Sequence, residues 1–151
     1  ESYEFKHELS KKLNLNIQTY KAKSDKQIDK LWEKDLELYN YINKIEPMNR
    51  ALFENNSEYW ISGIRRSQSQ NRENKTIFEK KDNYIKVHPL LDWTDKDIHM
   101  YLKKYNLPYH PLREKGYLSI GDWHSTKSIH EVNDISEIRF NGKQRECGLH
   151  I

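Results

Sequence analysis

Cysteine is almost absent from the chain: Cys147 stands alone among 151 residues. That excludes an internal disulfide framework, and it excludes any metal or iron–sulfur site needing several thiolates from this chain. Glycine and proline are scarce, at five and four, and no Gly-rich phosphate loop occurs anywhere. No apolar run approaches the roughly 20 residues of a membrane span, and Glu1-Ser2-Tyr3-Glu4 lacks the form of a signal peptide. A soluble, cytoplasmic protein is expected. An excess of one charge is missing too: Lys+Arg 26 against Asp+Glu 23 leaves +3, too little to predict a polyanion-binding surface from net charge. What is abundant is charge of both signs, 32%, together with four Trp, ten Tyr and four Phe. That much aromatic surface belongs to a folded, strongly solvated domain rather than to a disordered polyelectrolyte.

Periodicity outlines an α/β chain. Tyr3, Phe5, Leu9 and Leu13 recur at helical spacing, and the alternation of Leu15 to Tyr20 predicts a strand. The stretch from Lys23 to Lys34 reads as loop with a short helix. Pro47 opens a second helical run, Met48 to Phe53. Tyr59 to Ile64 reads as a buried strand, followed by the polar loop Arg65-Arg66-Ser67-Gln68-Ser69-Gln70-Asn71-Arg72, where an α/β sheet commonly binds its ligand. Tyr84 to Leu90 is a further strand, stopped by Pro89. Thr94 and Asp97 form a capping box for a helix from Asp95 to about Tyr105, with Ile98, Tyr101 and Leu102 on its apolar face. Beyond Asn106 the periodicity fades, and Pro108, Pro111, Gly116, Gly121, Gly142 and Gly148 punctuate an irregular segment. The expected division is therefore 1–105, an α/β nucleotide-binding portion, and 106–151, an irregular segment and tail. The first strand, helix and turn of a doubly wound sheet are not visible, and an N-terminal truncation is expected.

Two clusters carry chemistry. Lys143-Gln144-Arg145-Glu146-Cys147-Gly148-Leu149-His150 sets the lone thiol near permanent cations and a histidine, neighbours that favour thiolate, while Glu146 opposes them. The alternative is a structural cysteine beside a solvated charge run. Arg65, Arg66 and Arg72, with Ser67 and Ser69, place guanidiniums and hydroxyls directly after a strand; such forks match phosphate or sulfate oxygens. The alternative is a solvated basic loop. No aromatic residues interleave with this cluster, which argues against nucleic acid. Lys44, close before a helix, could meet a phosphate. His88, His99, His110, His124 and His130 show no zinc spacing, and Cys147 with His150 is half a site, so no metal is expected.

Five runs in one order resemble a known family: Lys44-Ile45-Glu46-Pro47-Met48-Asn49-Arg50-Ala51-Leu52, Gly63-Ile64-Arg65-Arg66-Ser67-Gln68-Ser69, Tyr109-His110-Pro111-Leu112, Gly116 to Thr126, and Arg145-Glu146-Cys147-Gly148-Leu149-His150. Together they resemble the phosphoadenylyl-sulfate (PAPS) reductases of assimilatory sulfate reduction. The resemblance implies an adenine-nucleotide hydrolase-like (Rossmann-like) fold, a parallel sheet with flanking helices, whose Ser-Gly-Gly-x-Asp-Ser phosphate loop would lie upstream of Glu1. It implies Cys147 as the catalytic nucleophile, with Lys44, Arg65, Arg66, Ser69, Arg72, Arg145 and His150 as substrate-binding residues. A related branch that reduces adenylyl sulfate (APS) carries an iron–sulfur cluster on paired cysteines. Those positions would fall here on Tyr39, Asn40, Asp122 and Ser125, so the sequence resembles the branch that has no cluster and no bound cofactor.

The implied reaction is reduction of PAPS to sulfite and adenosine 3′,5′-bisphosphate through an S-sulfonated Cys147, with thioredoxin or glutaredoxin as electron donor. A homodimer, without nucleic-acid or membrane partners, is expected from the family. Two other readings stay open at this point: a cluster-free APS reductase, and a non-catalytic nucleotide-binding remnant.

Overall fold

Glu4 in the first turn and Lys11 and Lys12 in the last suit the dipole of the opening helix, α1 (Ser2–Leu13). In the computed structural model, which describes residues 1–23, 30–139, 142, 148 and 149, α1 ends with Asn14 in the left-handed region at φ 50°. Leu15 is drawn into that cap: its amide donates to the Ser10 carbonyl at 2.9 Å, and its own carbonyl accepts from Ser10 Oγ at 2.9 Å. This corrects the expectation of a strand over Leu15 to Tyr20, which is irregular chain with Leu15 and Ile17 exposed. Alternation marks a strand only where a partner supplies the ladder, and here the helix cap has taken the first residue.

Short helices α2 (Leu31–Lys34) and α3 (Leu36–Asn40) follow, the latter capped by Asp35, whose carboxylate accepts from the Leu38 amide at 2.9 Å. The chain then runs through a π-helical turn, Tyr41–Ile45, into α4 (Glu46–Glu54), with Pro47 in its first turn as expected. Strand β1 (Tyr59–Ile61) leads to the arginine loop, and β2 (Phe78–Lys80) and β3 (Ile85–Val87) complete a three-stranded sheet in the order β1-β3-β2. β1 and β3 are parallel, in keeping with an α/β fold. β2, which the periodicity does not predict, adds an antiparallel strand beside β3; Phe78-Glu79-Lys80 is too short and too charged to announce itself as a strand. Helix α5 (Asp95–Lys104) begins at the predicted capping box: the Asp97 carboxylate accepts from the Thr94 amide and hydroxyl at 2.8 and 2.7 Å, and the Asp97 amide donates to Thr94 Oγ1 at 3.2 Å. These bonds hold the Asp97 carboxyl below its ordinary range.

The described residues fall into two compact units. One takes in 1–19 and 102–145. There His110 accepts from the Leu112 amide at 3.2 Å, bonds Ser2 Oγ at 3.0 Å and meets the Phe5 ring edge-on at 4.9 Å. The stretch beyond α5 holds single 3-10 turns, as its low periodicity predicts. The Arg139 guanidinium lies against Gly121, where a Cβ would stand, so a side chain there would displace the end of Arg139. The other unit takes in 20–101 and 146–151. Its buried apolar residues are Leu31, Ile64 and Leu91, and it carries the sheet and the candidate site.

Candidate active site

Register sorts the sheet's side chains onto two faces. Trp60, Lys86 and Glu79 lie abreast on one; Tyr59, Ile85 and Lys80, then Ile61, Val87 and Phe78, lie on the other. The first face is covered, though its residues are polar: Ser62, Lys86 and His88 are buried, and Lys86 is only 4% exposed. Glu79 stands 3.3 Å from Lys75 and 3.4 Å from His88. Burial is the main force holding the His88 ring below its ordinary pKa; Glu79 opposes the shift, and Lys86 and Lys75 deepen it. Burial likewise depresses the Lys86 ammonium, helped by Lys81 and opposed by Glu79.

Ser62 extends β1 by donating to the Val87 carbonyl at 2.9 Å, and the arginine loop follows as the 3-10 turns Arg66–Gln68 and Gln70–Arg72. Arg65 bonds Asp95 at 2.7 Å with a side chain 14% exposed; its Nη1 is buried and makes no hydrogen bond among the described residues. Arg66 has a different task. Its Nε bonds Asp92 at 2.9 Å, and its Nη1 donates to the carbonyls of Glu73 and, at 2.8 Å, Lys75. It is a staple that shapes the loop. Arg72 donates to the Gln68 side-chain oxygen Oε1, which also accepts from the Arg65 backbone amide at 2.9 Å. Ser69 sits in extended backbone between the two turns. The loop therefore holds its guanidiniums with carboxylates and carbonyls, and Asp95, the partner of Arg65, is 92% exposed. An exposed partner of this kind holds its cation weakly, within about 1 kcal/mol, and exchanges readily for a better anion.

Lys44 lies in the π-helical turn, donating to Asn40 Oδ1 at 2.9 Å with its Nζ 5.8 Å from the Tyr39 ring centre. Turns of this type recur at functional sites because they re-aim one side chain within a helix. Arg145, Cys147 and His150 lie outside the described residues. Gly148 and Leu149, which follow Cys147 directly, are described, and both meet the same unit. Gly148 has φ 84°, and a Cβ there would stand 2.9 Å from Ile45 Cδ1. The Leu149 carbonyl accepts from Lys86 Nζ at 2.8 Å. Lys44, Arg65, Arg66, Ser69 and Arg72 thus share a unit with the residues that follow the thiol. Lys86 was missed in the sequence, although one signal pointed to it: polar residues at 86 and 88 share one face of a strand whose other face is Ile85 and Val87. Among the described residues no cluster of His, Cys, Asp and Glu could hold a metal ion, and no helix is long and apolar enough to cross a membrane.

A mixed sheet flanked by helices, with an arginine loop directly after its first strand, defines an α/β domain of the kind that binds ligands at the loop ends of its strands. Comparison with known proteins makes the class specific. Residues 1–128 match the family model of the phosphoadenosine phosphosulfate reductase domain, and the chain belongs to that family. It is 48% identical to a phosphoadenosine 5′-phosphosulfate reductase of Vibrio atlanticus (strain LGP32) and 42% identical to one of Alkalilimnicola ehrlichii, each match covering 99% of this chain. It spans 61% and 64% of the length of those relatives. The crystal structure of the PAPS reductase from Candida auris, a phosphate complex, superposes with a TM-score of 0.71 at 30% identity, covering 83% of this chain and 64% of that one.

Proposed function

We propose that the protein reduces PAPS to sulfite and adenosine 3′,5′-bisphosphate in sulfate assimilation. The observation that carries this reading is the match, along 99% of the chain, to relatives named for that reaction. In the first step the Cys147 thiolate attacks the sulfur of the phosphosulfate; the S–O bond breaks, and adenosine 3′,5′-bisphosphate leaves with the bonding pair. A thiolate of reduced thioredoxin then attacks Cys147 Sγ and expels sulfite, and the second thioredoxin thiol resolves the mixed disulfide, so that thioredoxin supplies both electrons and Cys147 returns as thiolate. Glutaredoxin offers the same dithiol chemistry. The lone cysteine of the chain supports a reaction that uses no iron–sulfur cluster.

An anionic nucleophile meets an anionic substrate here, so the site must neutralise charge. Arg65 suits this role best, because its buried Nη1 and weakly held partner make it ready to exchange Asp95 for a phosphate or sulfonate. The phosphate in the Candida auris structure supports an anion subsite in this fold. Lys44, Ser69, Arg72, Arg145 and His150 are assigned to the same substrate, and Arg66 contributes its charge while shaping the loop. Action in the cytoplasm as a homodimer belongs to the same proposal.

The test is Cys147→Ser: sulfite formation falls by at least about 10³-fold, while PAPS still binds. Retained turnover would overturn the mechanism. Relative turnover on PAPS and APS checks the substrate, with PAPS favoured by about tenfold or more if the 3′-phosphate has its own charged donor.

A further inference from the structure

Lys86 is an unusual occupant of a central strand. Lysine is almost never fully buried unless its charge is met, yet here it is 4% exposed, with Nζ 4.5 Å from the Trp60 ring centre. The indole face offsets part of the lost hydration. The ammonium's one hydrogen-bond acceptor among the described residues is the Leu149 carbonyl, 63 positions away in the chain, at 2.8 Å. From the other side Gly148 is pressed against Ile45, in a backbone conformation that favours glycine and with no room for a side chain. The residues directly after Cys147 are therefore gripped between β3 and the π-helical turn that carries Lys44. A methionine would fill the space over Trp60 without the desolvation cost, so packing alone does not account for a lysine at this point.

We infer that Lys86 is a positioning residue for the nucleophile: its ammonium anchors Leu149 and fixes the pivot from which Cys147, two residues upstream, is presented to the phosphosulfate. The inference rests on the reading of Cys147 as the nucleophile. The lone thiol gives a direct probe of the anchor, because a nitroxide spin label on Cys147 reports the motion of this segment alone. Lys86→Met raises the mobile spectral fraction about tenfold, the loss expected for one hydrogen bond to a charged group. Lys86→Gln, too short to reach Leu149, does the same, and serves if the methionine variant does not fold. Lys86→Arg, which keeps charge and donors, stays within about twofold of the parent.

In unlabelled protein the single-turnover rate of Cys147 sulfonation by PAPS falls about tenfold in the folded Met or Gln variant, with PAPS affinity unchanged. A label equally immobile in parent and folded Lys86→Gln overturns the anchor. A freed tail with an unaltered sulfonation rate overturns the positioning role. Absence of any adduct in the parent would sink the functional reading, and the spin-label arm would still decide the anchor.

Discussion

The two faces of the three-stranded sheet invert the usual partition of residues. On one face Lys86 and His88 are 4% and 1% exposed, flanked by Trp60, Ser62 and Glu79; on the other Tyr59, Ile61 and Phe78 are 60%, 71% and 66% exposed. Ordinary cores put aliphatic side chains inside and charges outside. A face that buries charge instead needs a reason beyond stability, because isolated buried ions cost free energy that packing would not. Here the reason is that the polar face receives the segment after Cys147, through Lys86 and the Leu149 carbonyl. The exposed face is of the kind that other protein surface covers, and it takes no part in that contact.

The contrast can be sharpened by substitution. The largest stability effect is expected at Leu91, which follows β3, accepts from the Arg66 amide and is 1% exposed: Leu91→Ala costs about 2–5 kcal/mol in urea unfolding. A loss below about 1 kcal/mol would mean that this region is not the cohesive side of the unit. An intermediate effect depends on pH. Because His88 holds a folded pKa below the ordinary 6.5, the unfolded chain binds a proton between those values that the folded chain does not. Stability from this group is thus complete above pH 6.5 and declines as pH falls below it. His88→Gln, which cannot titrate, flattens the urea midpoint across that interval; an equal slope in parent and variant would place the acid sensitivity elsewhere. The smallest effect is on the open face: Ile61→Thr and Phe78→Thr each change stability by less than about 0.5 kcal/mol, while lowering the binding of a hydrophobic dye. A large loss from either would show that this face is already packed.

Much of this was legible in the residues. Thr94 and Asp97 announced α5 because a capping box is a local device, complete within four residues. Pro47 marked α4 but not a helix start, since helical backbone already runs into it from Leu36 through the π-helical turn. The arginine loop was placed correctly after β1, but the separate tasks of Arg65 and Arg66 were not visible, since Asp95, Asp92 and the carbonyls of Glu73 and Lys75 reach them only through folding. Leu15 to Tyr20 misled because alternation records a pattern and not a partner. The partner of Lys86 was hidden by distance in sequence: nothing near it in the chain points to Leu149, 63 positions away. The π-helical turn at Lys44 has no sequence signature at all, as helical periodicity runs through it on both sides.

The most direct test of the account is intact-mass measurement of the protein after mixing with PAPS in the absence of reductant. A gain of one sulfonate, located on Cys147 and lost on addition of reduced thioredoxin, is expected. No gain in mass, or an adduct that persists in Cys147→Ser, would contradict it.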